Sequence, residues 1–155
     1  GVRGSANVQS HTHQFGDTTE RDRQATGFGE VSLTGTTGAH VWVIGGALQS
    51  DDYRSVTLPR FNYQHVVPSV FAQDDYTFSP ALAVSISARL DRHNQFGTFL
   101  SPRLSALVKP APGWTIRMSG GTGYFAPTPL TDETDAVGLT RMVSGLPTTA
   151  ERARK

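Results

Sequence analysis

His11 and His13, in the stretch S-H-T-H-Q, offer two imidazole rings at a spacing of two. On an extended strand that spacing puts both rings on one face, the arrangement a bidentate metal chelate needs. A first-row cation also wants a third protein ligand, and the sequence places none beside the pair. The pair is therefore read as the solvated end of a strand, and no metal site is expected. The run G-G-T-G at Gly120–Gly123 has the composition of a phosphate-cradling loop. Such a loop needs a helix behind it, whereas Tyr124-Phe125-Ala126-Pro127 follows, so these glycines read as sheet positions where the chain bends or another backbone approaches closely. Ser, His and Asp all occur, but no G-x-S-x-G elbow or other catalytic setting brings them together. Neither enzymatic activity nor a cofactor is expected.

What remains is the chemistry of binding. The segment from Thr128 to Ala150 carries Asp132, Glu133, Asp135, Arg141 and Met142, and a long loop of this kind is where ligand contacts concentrate. An earlier long connection supplies Phe61, Tyr63 and His65 as an aromatic candidate. A second group of polar residues, Glu30, Gln73, Arg89, Asp91, Arg103, Lys109 and Arg117, interrupts apolar stretches at alternate positions.

Those positions acquire meaning from the elements that hold them. In L-A-V-S-I-S-A-R-L-D-R, residues Leu82, Val84, Ile86, Ala88 and Leu90 share one strand face, and Ala83, Ser85, Ser87, Arg89 and Asp91 share the other. The same alternation sets Trp42, Ile44, Gly46 and Leu48 against Val43, Gly45, Ala47 and Gln49. It recurs with Leu104, Ala106 and Val108 against Arg103, Ser105, Leu107 and Lys109, and with Ile116 and Met118 against Arg117 and Ser119. Helical periodicity is hard to find. Seven strands are expected, at Ser5–Phe15, Gln24–Thr34, His40–Ser50, Val66–Thr77, Ala81–Arg92, Leu100–Lys109 and Trp114–Phe125. Asp91 and Arg103 flank one connection and are expected to pair across adjacent strands.

The connections read as alternately short and long. G-T-T-G-A, F-S-P and P-A-P-G are tight, while G-D-T-T-E-R-D-R, the segment Asp51–Tyr63, H-N-Q-F-G-T-F and the segment from Ala126 to Ala150 are longer. That rhythm belongs to an up-and-down antiparallel meander with turns at one end and loops at the other. Trp42, Trp114 and Phe78 sit at the short turns, where a membrane barrel carries an aromatic girdle. The fold class is thus all-β, an up-and-down meander forming part of a transmembrane β-barrel. A soluble all-β binding module and a passive channel or adhesin barrel are the alternatives.

Composition removes other classes. The chain has 155 residues, of which 37% are hydrophobic and 17% charged. Fourteen basic and thirteen acidic side chains are interspersed, so there is no basic field for nucleic acid. No cysteine is present, which excludes disulfide scaffolds and thiolate metal sites. The most apolar stretch, Val41–Leu48, is far shorter than the roughly 20 residues of a membrane-spanning helix, whereas a barrel strand needs only about 9–11 residues.

Four strings then carry a family resemblance. V-F-A-Q-D-D-Y (Val70–Tyr76), S-A-R-L-D-R-H (Ser87–His93), F-L-S-P-R-L-S-A-L-V-K-P (Phe99–Pro110) and G-T-G-Y-F-A-P-T-P-L (Gly121–Leu130) resemble the barrel domain of TonB-dependent outer-membrane receptors. The terminal E-R-A-R, Glu151–Arg154, is similar to the start of the following strand in that family. The resemblance implies a bacterial outer-membrane location and a complete barrel of about 22 strands with a plugged lumen. It also implies energised uptake of a scarce ligand such as an iron chelate, cobalamin, another metal complex or an oligosaccharide. Expected partners are the TonB complex, contacted through an N-terminal region, the extracellular ligand, and outer-membrane lipid. On this reading residues 1–155 are an internal segment of the barrel domain, without its plug or its C-terminal strands. The apolar faces then meet lipid, and Glu30, Gln73, Arg89, Asp91, Arg103, Lys109 and Arg117 face the lumen. A Lys or Arg on the lipid face at mid-membrane would cost about 2–4 kcal/mol, which sets the direction of the two faces.

Overall fold

The structure, a computed structural model, describes residues 1–128 and 151–154. These described residues form eight strands: β1 (Val2–Phe15), β2 (Thr18–Thr37), β3 (His40–Ser55), β4 (Tyr63–Ser79), β5 (Leu82–His93), β6 (Gly97–Val108), β7 (Ile116–Phe125) and β8 (Glu151–Arg154). Each strand pairs antiparallel with its neighbours in chain order, so the sheet is an open meander with no crossover. One 3-10 turn, Pro59–Phe61, interrupts the connection between β3 and β4.

Strand alternation fixes the faces. Across β3 to β6 the register aligns Gly46 with Val70, Val70 with Leu90, and Leu90 with Leu100, so apolar positions stack into rows on one face. That face is open: Ile86 is 59% exposed, Leu104 55% and Leu33 60%. Among the described residues no second sheet lies against it. A sandwich would bury these side chains in its core, so the soluble-module alternative is not the one this sheet adopts.

The apolar rows have a definite height. On β5 they run from Leu82 to Leu90, and the next residue on that face is Arg92. On β3 they run from Trp42 to Leu48 and give way to Ser50, Asp52 and Arg54; on β2, Arg23 and Arg21 succeed Val31 and the small residues beyond it. A band of about 9–11 strand residues is the height of a bilayer's hydrocarbon core. At its short-turn edge lie Trp42, Phe78 and Trp114, together with Tyr76 packed 4.4 Å from the His40 ring. Asp74 is the exception on this face, and His40 Nδ1 lies 2.7 Å from its Oδ2.

The long connections differ from the sequence-based expectation. G-D-T-T-E-R-D-R reads as a loop, but only Gly16-Asp17 turns, with Gly16 at φ 61°, and β1 and β2 pair continuously up to it. H-N-Q-F-G-T-F shrinks to Asn94–Phe96, and β3 continues through Asp51–Ser55. The physical reason is that a β ladder needs only backbone donors and acceptors. Above the apolar band a strand with polar residues on both faces remains paired, and its hydropathy then resembles that of a loop. The strict short–long alternation therefore does not hold, although the order and direction of the strands do.

Candidate functional site on the polar face

Several hollows indent the polar face of the described residues, and two of them bear on ligand contact. The larger, about 500 Å³, lies toward the short turns and is lined by Gln73, Asp75, Ser87, Arg103 and Arg117. Three of these, Gln73, Arg103 and Arg117, were singled out by alternation, and the register brings them together from β4, β6 and β7. Gln73 donates to Asp75 at 3.0 Å.

Arg89 and Asp91 share this face higher on β5. Asp91 is buried at 4% exposure and accepts from Ser69 Oγ at 2.6 Å and from Arg89 Nε at 2.7 Å. Arg89 Nη2 also donates to Ser69 at 2.8 Å, closing a three-membered network. The expected pairing of Asp91 with Arg103 does not form. Asp91 stands opposite Phe99, and Arg103 stands opposite Ser87, four residues away along β5. Glu30 lies on the same face of β2 and accepts from Arg3 on β1. Lys109 follows the end of β6 and is exposed in the turn, where its N–H donates to the Ala81 carbonyl.

Toward the long-loop end the face becomes aromatic. Tyr53, Phe61 and Tyr63 form a buried cluster with Leu58 against it. Phe61, proposed above as a loop contact, is 1% exposed and serves as the core of that loop. Tyr63 is placed differently. Its hydroxyl donates to Asp51 Oδ2 at 3.2 Å, while Gln24 donates to Asp51 Oδ1 at 3.0 Å. Burial, reinforced by Asp51, raises the Tyr63 pKa above its ordinary value, so the phenol stays a donor.

Beyond Tyr63 the rings continue as a chain. Tyr63 lies 4.7 Å from His65, His65 lies 4.6 Å from His93, and His93 lies 4.8 Å from Phe96. Gln95 is within 3.1 Å of His65 Nε2. The Nδ1 of His93 accepts from the N–H groups of Gln95 and Phe96 at 3.1 and 3.3 Å, capping the tight β5–β6 turn. A second hollow of about 300 Å³ is bounded by Asp51, His65, His93 and Tyr124. Phe99 stacks on Tyr124 at 4.0 Å just below it.

Sequence reasoning did not single out Gln24, Asp51, Tyr53, His93 or Phe96. They come from three different strands and one turn, and the available signal was parity: Asp51, Tyr53, Tyr63, His65 and His93 all fall on the face opposite the apolar rows. Gly120–Gly123 lie within β7, as sheet positions. A Cβ on Gly121 would come within 2.8 Å of the Pro102 carbonyl, so the close approach of β6 and β7 requires glycine there. Asp132, Glu133, Asp135 and Arg141 lie outside the described residues.

An open up-and-down sheet with an apolar band outside, aromatic residues at one rim and a polar, hydrogen-bonded inner face is the wall of a transmembrane β-barrel. The family model for TonB dependent receptor-like β-barrels matches residues 1–148, and the chain belongs to that family, whose members reside in the bacterial outer membrane. Among solved structures, the siderophore receptor PirA from Pseudomonas aeruginosa is similar at 16% identity with a TM-score of 0.64, over 82% of this chain and 27% of that one. The siderophore receptor PirA from Acinetobacter baumannii is similar at 15% identity with a TM-score of 0.58, over 81% of this chain and 22% of that one. The chain thus spans about a quarter of the length of these receptors. No curated protein sequence matches it.

Proposed function

We propose that this chain is a section of the barrel wall of a receptor that takes up a scarce extracellular ligand by TonB-energised transport, with iron chelates as the leading ligand class. The plug, the TonB-contacting region and the remaining strands belong, on this reading, to parts of the receptor outside residues 1–155. The membership in the receptor family supports the transport role, and the likeness to siderophore receptors supports the ligand class. The polar face is then the lumen wall. Its upper part, where Asp51, His65, His93 and Tyr124 surround a hollow, offers rings for stacking beside a carboxylate that Tyr63 holds in place. Its lower part, with Arg103 and Arg117 among Gln73 and Asp75, is a polar surface for passage or for contact with a plug, and Arg89 and Asp91 brace the wall above it. No bond in the ligand needs to be made or broken. Asp132, Glu133, Asp135 and Arg141 complete the ligand-facing set in this proposal.

The test uses the full-length receptor. Binding of ferric chelates, cobalamin, other metal complexes and oligosaccharides is measured on the purified protein, and uptake of the bound ligand is compared in cells with and without TonB. Saturable binding of a ferric chelate with TonB-dependent uptake is the expected result. Uptake that proceeds equally without TonB would replace this reading with a passive channel.

A further inference from the structure

The extended β1–β2 hairpin changes the standing of His11 and His13. Asp22 lies directly across from His11 in the ladder, eleven residues away in sequence, in a stretch that by sequence reads as loop. His11 Nδ1 is 3.0 Å from Asp22 Oδ1, and His13 Nε2 is 3.9 Å from Asp22 Oδ2. One donor atom from each of the three residues fits within 4.8 Å of the other two. Ligands about 2.0–2.1 Å from a tetrahedral cation stand about 3.3 Å apart, so side-chain torsions alone bring the longest pair into range. We propose that His11, His13 and Asp22 form a binding site for a divalent transition cation of borderline softness, such as Zn²⁺ or Cu²⁺.

Three features argue for a cation rather than a plain ion pair. The two imidazoles share a face with their rings 5.7 Å apart, so a doubly charged ion can engage both, whereas a single carboxylate spans them unequally. Glu20, across from His13 on the same face, is 4% exposed and has a buried carboxylate oxygen with no hydrogen-bond partner among the described residues. That second carboxylate beside the two imidazoles favours a dication. Finally, His11 and His13 remain partly accessible, with side chains 44% and 42% exposed, so a cation has a path in. Three protein ligands leave a fourth position open for water or an incoming donor, as in exchangeable rather than sealed sites.

The site lies on the inner face, some fifteen residues along β2 from the short turn at Thr37, above the apolar band. Its test needs only the metal. The full-length receptor, freed of chelators, is titrated with ZnCl₂ by calorimetry, and Cu²⁺ is followed by electron paramagnetic resonance. One saturable Zn²⁺ site is expected, weakened at least about tenfold in His11→Ala, His13→Ala and Asp22→Asn and unchanged in His40→Ala. The Cu²⁺ spectrum should show coupling to two nitrogens, reduced to one in either His variant. Correct assembly of each variant is checked by its retained heat-modifiable migration. No saturable site in the assembled wild type, or wild-type affinity in the three ligand variants, overturns the proposal. Because Zn²⁺ is added alone, neither outcome depends on which chelate the receptor transports.

Discussion

At the residue scale, His93 links protonation to local order. Its Nδ1 serves as acceptor for two turn amides, and burial beside His65 lowers its pKa below the ordinary 6.5. A proton on Nδ1 would replace an acceptor by a donor facing those amides. The unfolded chain binds that proton more readily than the folded one, so the contribution of the cap is complete above about pH 6.5 and declines as pH falls through the lower folded value. Protection of the Gln95 and Phe96 amides against hydrogen exchange, taken relative to the intrinsic rate at each pH, should therefore fall as the pH drops below about 6.5, and His93→Gln should flatten that dependence. The Arg89–Asp91–Ser69 network makes a second prediction. Removing Arg89 strands a carboxylate that is 6% exposed at its side chain, so Arg89→Met should cost about 1–3 kcal/mol, measured by denaturant unfolding of the receptor in detergent. Adding Asp91→Leu should recover part of the loss, since the unpaired charge is then gone.

At the element scale, each strand is two surfaces with opposite requirements. Ile86 belongs to the apolar band, and its chain neighbour Ser87 lines the larger hollow. Ile86→Lys should lower folding stability in bilayers by about 2–4 kcal/mol, while Ser87→Lys should change it by well under half as much. Equal effects would mean that the faces have been assigned wrongly. The same elements explain where sequence reading stopped. Alternation in L-A-V-S-I-S-A-R-L-D-R located β5 almost to the residue, because one apolar face leaves a period of two. In T-T-E-R-D-R both faces are polar, the period vanishes, and β2 was expected to begin only at Gln24 rather than at Thr18.

At the scale of the whole molecule, the sheet exposes its apolar band, and among the described residues β1 has a strand partner on one side alone. Such a surface and edge drive association in water. Residues 1–155 expressed alone should sediment as aggregates in buffer and become dispersed in detergent micelles, as read by analytical ultracentrifugation. A monodisperse particle without detergent would argue that the apolar face has another cover. The proposed Zn²⁺ site adds a clip between β1 and β2 above the membrane, so metal should slow hydrogen exchange in that hairpin and leave β5 and β6 unaffected.

The sequence by itself determined the strand order, the two-faced character of the wall and the family, because one side chain in two must be apolar where a strand meets lipid and the tight turns need Gly and Pro. It also placed Gln73, Arg103 and Arg117 on one polar face, since parity alone decides that. Partnership was decided only in three dimensions. Whether Asp91 meets Arg103 or Arg89, and whether Asp22 joins His11 and His13, depends on register and on how far the ladder runs past the membrane. Those are set by backbone hydrogen bonds between strands, which polar sequence neither requires nor forbids.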